Sequence, residues 1–133
     1  MQILPLSEGS FTIDATKQFV PFTVGEDELK ERSRGSLLVE IQPFAIVTEK
    51  DVILLDTGLG FCDEQGVPAI HKNLQQAGIE PYQVTKVLLS HLHRDHAGGI
   101  SYLSKDASER FISFPYATYY CQRREFELAM SKQ

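Results

Sequence analysis

Three imidazoles and a carboxylate crowd into the stretch His91-Leu92-His93-Arg94-Asp95-His96, directly after Ser90 and before Ala97-Gly98-Gly99. Imidazole nitrogens and carboxylate oxygens need polar partners, and burying them unpaired is costly. A divalent cation satisfies all of them together. Neutral imidazole and carboxylate suit zinc, iron or manganese, and the lack of a nearby thiolate argues against a structural cysteine-rich zinc site. If Val87-Leu88-Leu89 is a strand, alternation points His91 and His93 the same way at its end, with Asp95 and His96 on the turn that follows. This spacing offers two imidazoles to one ion, and a carboxylate plus an imidazole to a second. A catalytic zinc keeps a position for water and lowers that water's pKa from about 15.7 to about 7, which supplies hydroxide at neutral pH. The bland alternative is a polar turn whose histidines happen to lie close. Ligand-type residues at four such offsets exceed ordinary motif coincidence.

The elements that would carry this cluster alternate between strands and helices, which implies an α/β domain. Ile3 to Leu6 and Phe11 to Asp14 read as short strands joined in a hairpin-like start at Ser7-Glu8-Gly9-Ser10. Lys17 to Gly35 has no periodicity and reads as a long loop, with the charge-mixed run Lys30-Glu31-Arg32-Ser33-Arg34 a solvated surface, or else a flap over the site or a subunit contact. Ser36 to Ile41 and Phe44 to Thr48 are strand candidates separated at Pro43. Val52 to Leu55 is apolar at every position, as expected of a strand covered on both faces. It ends in Asp56-Thr57-Gly58-Leu59-Gly60, whose glycines permit a close-packed turn. Val67 to Ala77 is a helix candidate closed by Gly78, with Ile70, Leu74 and Ala77 on one face. His71 beside them reads as a helix-surface residue without a ligand role. Pro81 to Val84 suits one helical turn and Ile100 to Leu103 a short helical piece. Phe111 to Phe114 and Thr118 to Cys121 are strand candidates, and Arg123 to Met130 is a helix with Phe126 and Met130 on one face.

The two motifs together, in this order, resemble the metallo-β-lactamase superfamily: His91 to His96 followed by Ala97-Gly98-Gly99 is similar to its HxHxDH signature, and Leu54-Leu55-Asp56-Thr57-Gly58 to its first motif. The resemblance implies an αββα sandwich of two similar halves with metals at one edge between the sheets. Residues 1–133 would be the N-terminal portion of one such domain. It implies that His91 and His93 hold one metal and that Asp95 and His96 hold a second, as a zinc pair with iron or manganese as alternatives. Asp95 would also carry a proton during turnover. Asp56 would orient a metal-site group by hydrogen bonding from outside the ligand set; on chemistry alone it is equally a turn cap. The histidine directly after Asp95 resembles the lactonase and glyoxalase II branches rather than the β-lactamases. Thr118 to Glu127 resembles the strand-to-helix segment of acyl-homoserine lactone lactonases. The implied activity is metal-dependent hydrolysis of an ester-like bond, foremost a lactone. A glyoxalase II-like thioesterase is the alternative, and a truncated non-catalytic half-domain is a reading from another class.

The pattern also departs from the family. The further histidine, bridging aspartate and last histidine of the complete site find no match before Gln133, so a truncated chain, inactive alone, is expected. It would self-associate or pair with the missing half. The net charge of −5 and the absence of a basic stripe argue against nucleic acid or an anionic membrane as partner. Two cysteines without a CxxC pair fit a reducing cytoplasm, and Cys62 and Cys121 read as small structural hydrophobes rather than nucleophiles. No apolar run reaches the ~18 residues a membrane helix needs. Neither a Gly-x-Ser-x-Gly elbow nor a phosphate-binding glycine loop is present.

Overall fold

The computed structural model describes residues 1–132. Four of its first five strands are two halves of one bent ribbon. β1 (Gln2–Pro5) lies antiparallel to β5 (Phe44–Val47), and β2 (Gly9–Ile13) lies antiparallel to β4 (Leu37–Ile41). The bridging amides of Leu6 and Glu8 donate to Pro43 O at 2.8 Å and Ile41 O at 2.7 Å. The expected hairpin between β1 and β2 is therefore absent: each strand pairs in a different sheet. Pro43 has no N–H to continue the ladder, and Gly9 takes φ +98°, so the ribbon bends between the sheets at these two positions.

The Lys17–Gly35 segment is also more ordered than its composition suggests. β3 (Phe19–Phe22) pairs with β2 at the edge of a three-stranded sheet, where Pro21 is tolerated because an edge strand can lack one ladder donor. A 3-10 turn follows at Leu29–Glu31. Arg32 then ties the segment down, donating to Thr12 Oγ1 at 3.0 Å and Pro21 O at 3.1 Å with its guanidinium 5.3 Å from the Phe22 ring centre.

β6 (Val52–Leu55), β7 (Lys86–Leu88) and β10 (Thr118–Tyr120) complete a five-stranded sheet of order β1-β5-β6-β7-β10. β6, β7 and β10 run parallel, so their C-terminal ends open on the same edge. Register places Leu4, Ala45, Leu54, Val87 and Tyr119 in one cross-strand row. That row packs with Ile70 and Leu74 of α1 (Ala69–Gln76) and with Phe114 to form the main core. His71 belongs to this interior. It is buried on α1 between the Tyr102 and Phe114 rings, with its Nε2 2.8 Å from Ser113 O. The helix-surface expectation for His71 is thus corrected, and so is the expected face of Ile70, Leu74 and Ala77: the buried stripe of α1 is Ile70, His71 and Leu74, with a backbone acceptor beneath His71, while Ala77 is an exposed C-cap.

The opposite face of the sheet carries Ile3, Leu88 and Tyr120, which are 60%, 39% and 45% exposed. Val52 to Leu55 is covered on one face only: Leu54 is buried while its neighbours are half-buried. The chain beyond β7 forms α2 (Arg94–Ala97), a 3-10 turn at Gly98–Ile100, and the two-stranded sheet of β8 (Ser101–Leu103) and β9 (Arg110–Ile112). Ile100 to Leu103 is therefore a turn followed by a strand rather than a helical piece. Helix α3 (Arg123–Ser131) follows β10. Among the described residues, no helix is long and apolar enough to cross a membrane. Both cysteine side chains are free and exposed, contrary to the buried role expected of them. Partial desolvation and then Asp63 push the Cys62 thiol up, away from a reactive thiolate.

Candidate metal centre

β7 stops at Leu88, earlier than the apolar run suggests, its last ladder bond to β10 running from Leu89 N–H to Tyr120 O at 2.9 Å. His91 and His93 therefore lie on irregular chain past the strand and not in strand alternation. α2 takes its first-turn carbonyl from His93, which accepts from the amides of His96 at 3.0 Å and Ala97 at 2.9 Å. This single turn folds Asp95 and His96 back toward His91. The ring centres of His91 and His93 lie 4.7 Å apart, and those of His91 and His96 4.0 Å apart. Of the four residues singled out by spacing, His91 thus stands beside both His93 and His96, and Asp95 stands beside His96.

Asp56 organises them from the end of the neighbouring strand. It sits at φ +65°, in the left-handed region that a short polar side chain tolerates better than most. Its Oδ1 accepts from Ser90 N–H at 2.7 Å, and its Oδ2 lies 2.8 Å from both Ser90 Oγ and His96 Nδ1. A hydroxyl has one proton. Ser90 Oγ donates that proton to the Asp56 carboxylate, so the 3.0 Å contact between Ser90 Oγ and His91 Nδ1 needs the proton on the ring. The same logic puts a proton on His96 Nδ1. One carboxylate therefore fixes the tautomer of two histidines and leaves the Nε2 of each as the lone-pair nitrogen.

The fit of this donor set to a metal follows from His96. Its Nε2, bare once Nδ1 is protonated, lies 3.3 Å from Asp95 Oδ2. Two acceptors that face one another repel. A second proton on the ring relieves the contact, and so does a cation shared by both atoms. The donors are of the right kind for zinc or another borderline divalent ion. They do not form a finished cage: among the described residues, no group of three or more His, Cys, Asp or Glu side chains is disposed to hold one ion.

Two backbone turns are pressed together to hold this geometry. Thr57 N–H donates to His96 O at 2.7 Å, and Thr57 Oγ1 lies 3.1 Å from the same oxygen. Gly99 N–H donates to Gly58 O at 3.2 Å. A Cβ at Gly99 would sit 2.0 Å from Thr57 O, and one at Gly98 would sit 2.3 Å from Leu59 O. The glycines of both motifs are needed for this approach. A cleft of about 290 Å³ beside Asp56, Asp95 and His96 is walled by the run from Val39 to Pro43, Glu40 and Gln42 included. A larger cavity, about 540 Å³, borders Arg94 and includes none of the other motif side chains.

Two carboxylates escaped the reading of the sequence. Glu8 enters from the bend of the ribbon and accepts Leu59 N–H at 3.0 Å, while its buried Oε2 has no partner among the described residues. Burial pushes the Glu8 carboxyl up to about 7, against the lowering effect of that bond. Glu125 accepts Leu92 N–H at 2.9 Å. Neither contact has a local signal, since the partners lie 51 and 33 residues away in sequence.

Comparison with known proteins matches residues 40–131 to the family model described as the metallo-beta-lactamase superfamily. The chain belongs to this superfamily. Among solved structures, AidC, described as a dizinc quorum-quenching lactonase in complex with the product N-hexnoyl-L-homoserine, is 26% identical with a TM-score of 0.65 over 95% of this chain and 43% of its own. AbOPH, described as a hydrolase in the beta lactamase superfamily, is 27% identical with a TM-score of 0.66 over 96% of this chain and 43% of its own. A probable metal-dependent hydrolase from Staphylococcus aureus shares the fold, with a TM-score of 0.70 at 20% identity over 99% of this chain and 50% of its own. The superfamily member described above spans half or less of the length of these structures. Comparison with curated proteins finds no match. The fold is the metallo-β-lactamase α/β fold, of which these residues supply one sheet-and-helix half.

Proposed function

We propose that the protein, in its functional form, is a metal-dependent hydrolase that opens an ester-like bond, with a lactone as its substrate. The observation that carries this reading is the three-way contact of Asp56 with Ser90 and His96, which turns the lone pairs of His91 and His96 into available donors. His91 and His93 would hold one ion, and Asp95 and His96 a second, with zinc favoured and iron or manganese as substitutes. When bound, such ions supply a polarised carbonyl and a hydroxide nucleophile at neutral pH.

The residues of this chain do the rest. Asp56 and Ser90 orient the imidazoles. Asp95, whose side chain is 27% exposed, would carry a proton to a leaving oxygen on the carboxylate oxygen that does not face His96. Val39, Ile41 and Pro43 share the wall of the adjoining cleft with Glu40 and Gln42, a mixed lining that offers polar groups to an ester as well as apolar contact. The likeness to a dizinc lactonase at 26% identity supports the lactone over other esters. The exposed, unpaired thiols of Cys62 and Cys121 support a reducing, cytoplasmic setting.

The test is hydrolysis of acyl lactones and of glutathione thioesters by the zinc-loaded protein and its His93→Ala variant. Lactone turnover that collapses in the variant is the expected result. Turnover of thioesters alone would replace the substrate, and full activity in His93→Ala would overturn the metal mechanism. A non-catalytic half-domain is the second reading, favoured by the absence of three donors aimed at one point among the described residues. Zinc well below one ion per chain, with no turnover, would establish it.

A further inference from the structure

The amides on either side of His91 are each captured by a carboxylate. Ser90 N–H goes to Asp56 at 2.7 Å, and Leu92 N–H goes to Glu125 Oε1 at 2.9 Å. The first carboxylate stands at the end of β6; the second stands on α3, which the chain reaches directly from β10. Because β10 pairs in parallel with β7, its C-terminal end delivers the start of α3 next to the histidine segment.

Glu125 is the third residue of α3, after the N-cap Gln122. A glutamate at this position usually folds back onto the N-cap amide of its own helix and closes a capping box. Here the helix is capped differently. Gln122 Oε1 accepts Arg124 N–H at 3.1 Å, and Glu125 reaches outward to Leu92. The Leu92 side chain meanwhile packs against the main core. Leu92 is thus held at its side chain by the core and at its amide by Glu125, which leaves His91 and His93 on a segment fixed between them.

We propose that Glu125 is a positioning residue for the metal-binding histidines: through the Leu92 amide it sets the backbone from which His91 and His93 present their rings. This rests on the metal assignment of His91 and His93 proposed above. An orienting partner one step behind a ligand commonly changes metal affinity 10–100-fold when it is lost.

The experiment compares the intact protein with its Glu125→Gln, Glu125→Asp and Gln122→Ala variants. It reads zinc affinity by competition with a chromophoric chelator and ligand geometry from the absorption bands of cobalt(II) bound in place of zinc. Glu125→Gln keeps an acceptor oxygen at the same reach and should bind zinc within about threefold of the parent. Glu125→Asp keeps the charge at the start of the helix but is one methylene short of Leu92. It should bind roughly tenfold or more weaker, with shifted cobalt bands. Gln122→Ala removes only the helix cap, so it should lower the melting temperature and leave both metal readouts unchanged. Parental affinity and bands in Glu125→Asp would overturn the inference. An equal loss in Gln122→Ala would overturn it too, because helix stability alone would then explain the effect. A parent protein that binds neither zinc nor cobalt would overturn the metal assignment itself, a result distinct from either of these.

Discussion

Asp56 and His96 meet side chain to side chain at 2.8 Å across 40 residues of sequence, and the same Asp56 oxygen takes the Ser90 hydroxyl. The consequence is a shared control of protonation: the carboxylate decides which nitrogen of each ring is bare.

Removing the relay tests this. Ser90→Ala deletes the hydroxyl through which Asp56 reaches His91 and leaves the direct bond to His96 intact. Zinc affinity is expected to fall 10–100-fold by chelator competition, while the change in stability stays within about 1 kcal/mol because Ser90 is exposed. Asp56→Asn should lose more affinity than Ser90→Ala: an oxygen kept at the Oδ2 position sets the amide NH2 against the Ser90 N–H, and an oxygen kept at Oδ1 takes the acceptor away from both Ser90 Oγ and His96 Nδ1.

The close approach of the glycine turns predicts a steric penalty without a conformational one. Gly99 does not have a positive φ, so alanine there is permitted by the backbone, but its Cβ would lie 2.0 Å from Thr57 O. Gly99→Ala should destabilise the fold by about 3 kcal/mol in urea titration. It should also weaken zinc binding, because the Thr57 contacts to His96 O must move.

Glu8 makes stability depend on pH in the direction opposite to an ordinary ion-paired carboxylate. Its folded pKa of about 7 stands above the unfolded 4.5, so the folded chain binds more protons between these values. Stability should therefore fall as pH rises from about 4.5 through about 7 and level off above it. Glu8→Gln is neutral throughout and should lack this decline. Its gain over the parent should grow across the window to on the order of 2–3 kcal/mol at pH 8. Urea midpoints at a series of pH values read it directly.

His71 acts the other way. Burial lowers its pKa, against the raising effect of the bond to Ser113 O. The folded state binds fewer protons, so its contribution is present above the unfolded value of about 6.5 and is lost as pH falls below it. His71→Leu should flatten the loss of stability between pH 7 and pH 5. At pH 7 it should cost about 1–3 kcal/mol, since Ser113 O is left unpaired. Thermal melts at both pH values distinguish the two effects.

What was legible in the sequence is what local chemistry or local pattern specifies. The apolar run of Val52 to Leu55 became β6, and the periodicity around Ile70 and Leu74 became α1. The cluster from His91 to His96 folds together because the single turn of α2, capped by His93, follows directly on the irregular stretch that carries His91. Features set by distant partners were not legible. Ser7-Glu8-Gly9 has the composition of a hairpin turn, yet Pro43 on the paired chain decides that the ribbon bends there. Pro21 hid an edge strand. Glu8 and Glu125 resemble any surface glutamate until the sheet brings Leu59 and Leu92 to them. His71 looked like solvent-facing polarity because its acceptor, Ser113 O, lies 42 residues ahead.

The parallel run of β6, β7 and β10 has a kinetic consequence. The groups that shape the histidine segment arrive on three strand ends whose pairings all span more than 30 residues. Non-local pairings of this kind form slowly, because the chain must close long loops before any contact rewards it. Asp56, His91 and Glu125 can therefore come into register only when the sheet is nearly complete. A one-residue slip of β10 along β7 would carry the start of α3 about 3.3 Å along the strand direction, farther than the whole Glu125 contact to Leu92. Metal competence should appear in the last phase of refolding, after the far-ultraviolet signal of the helices has already recovered.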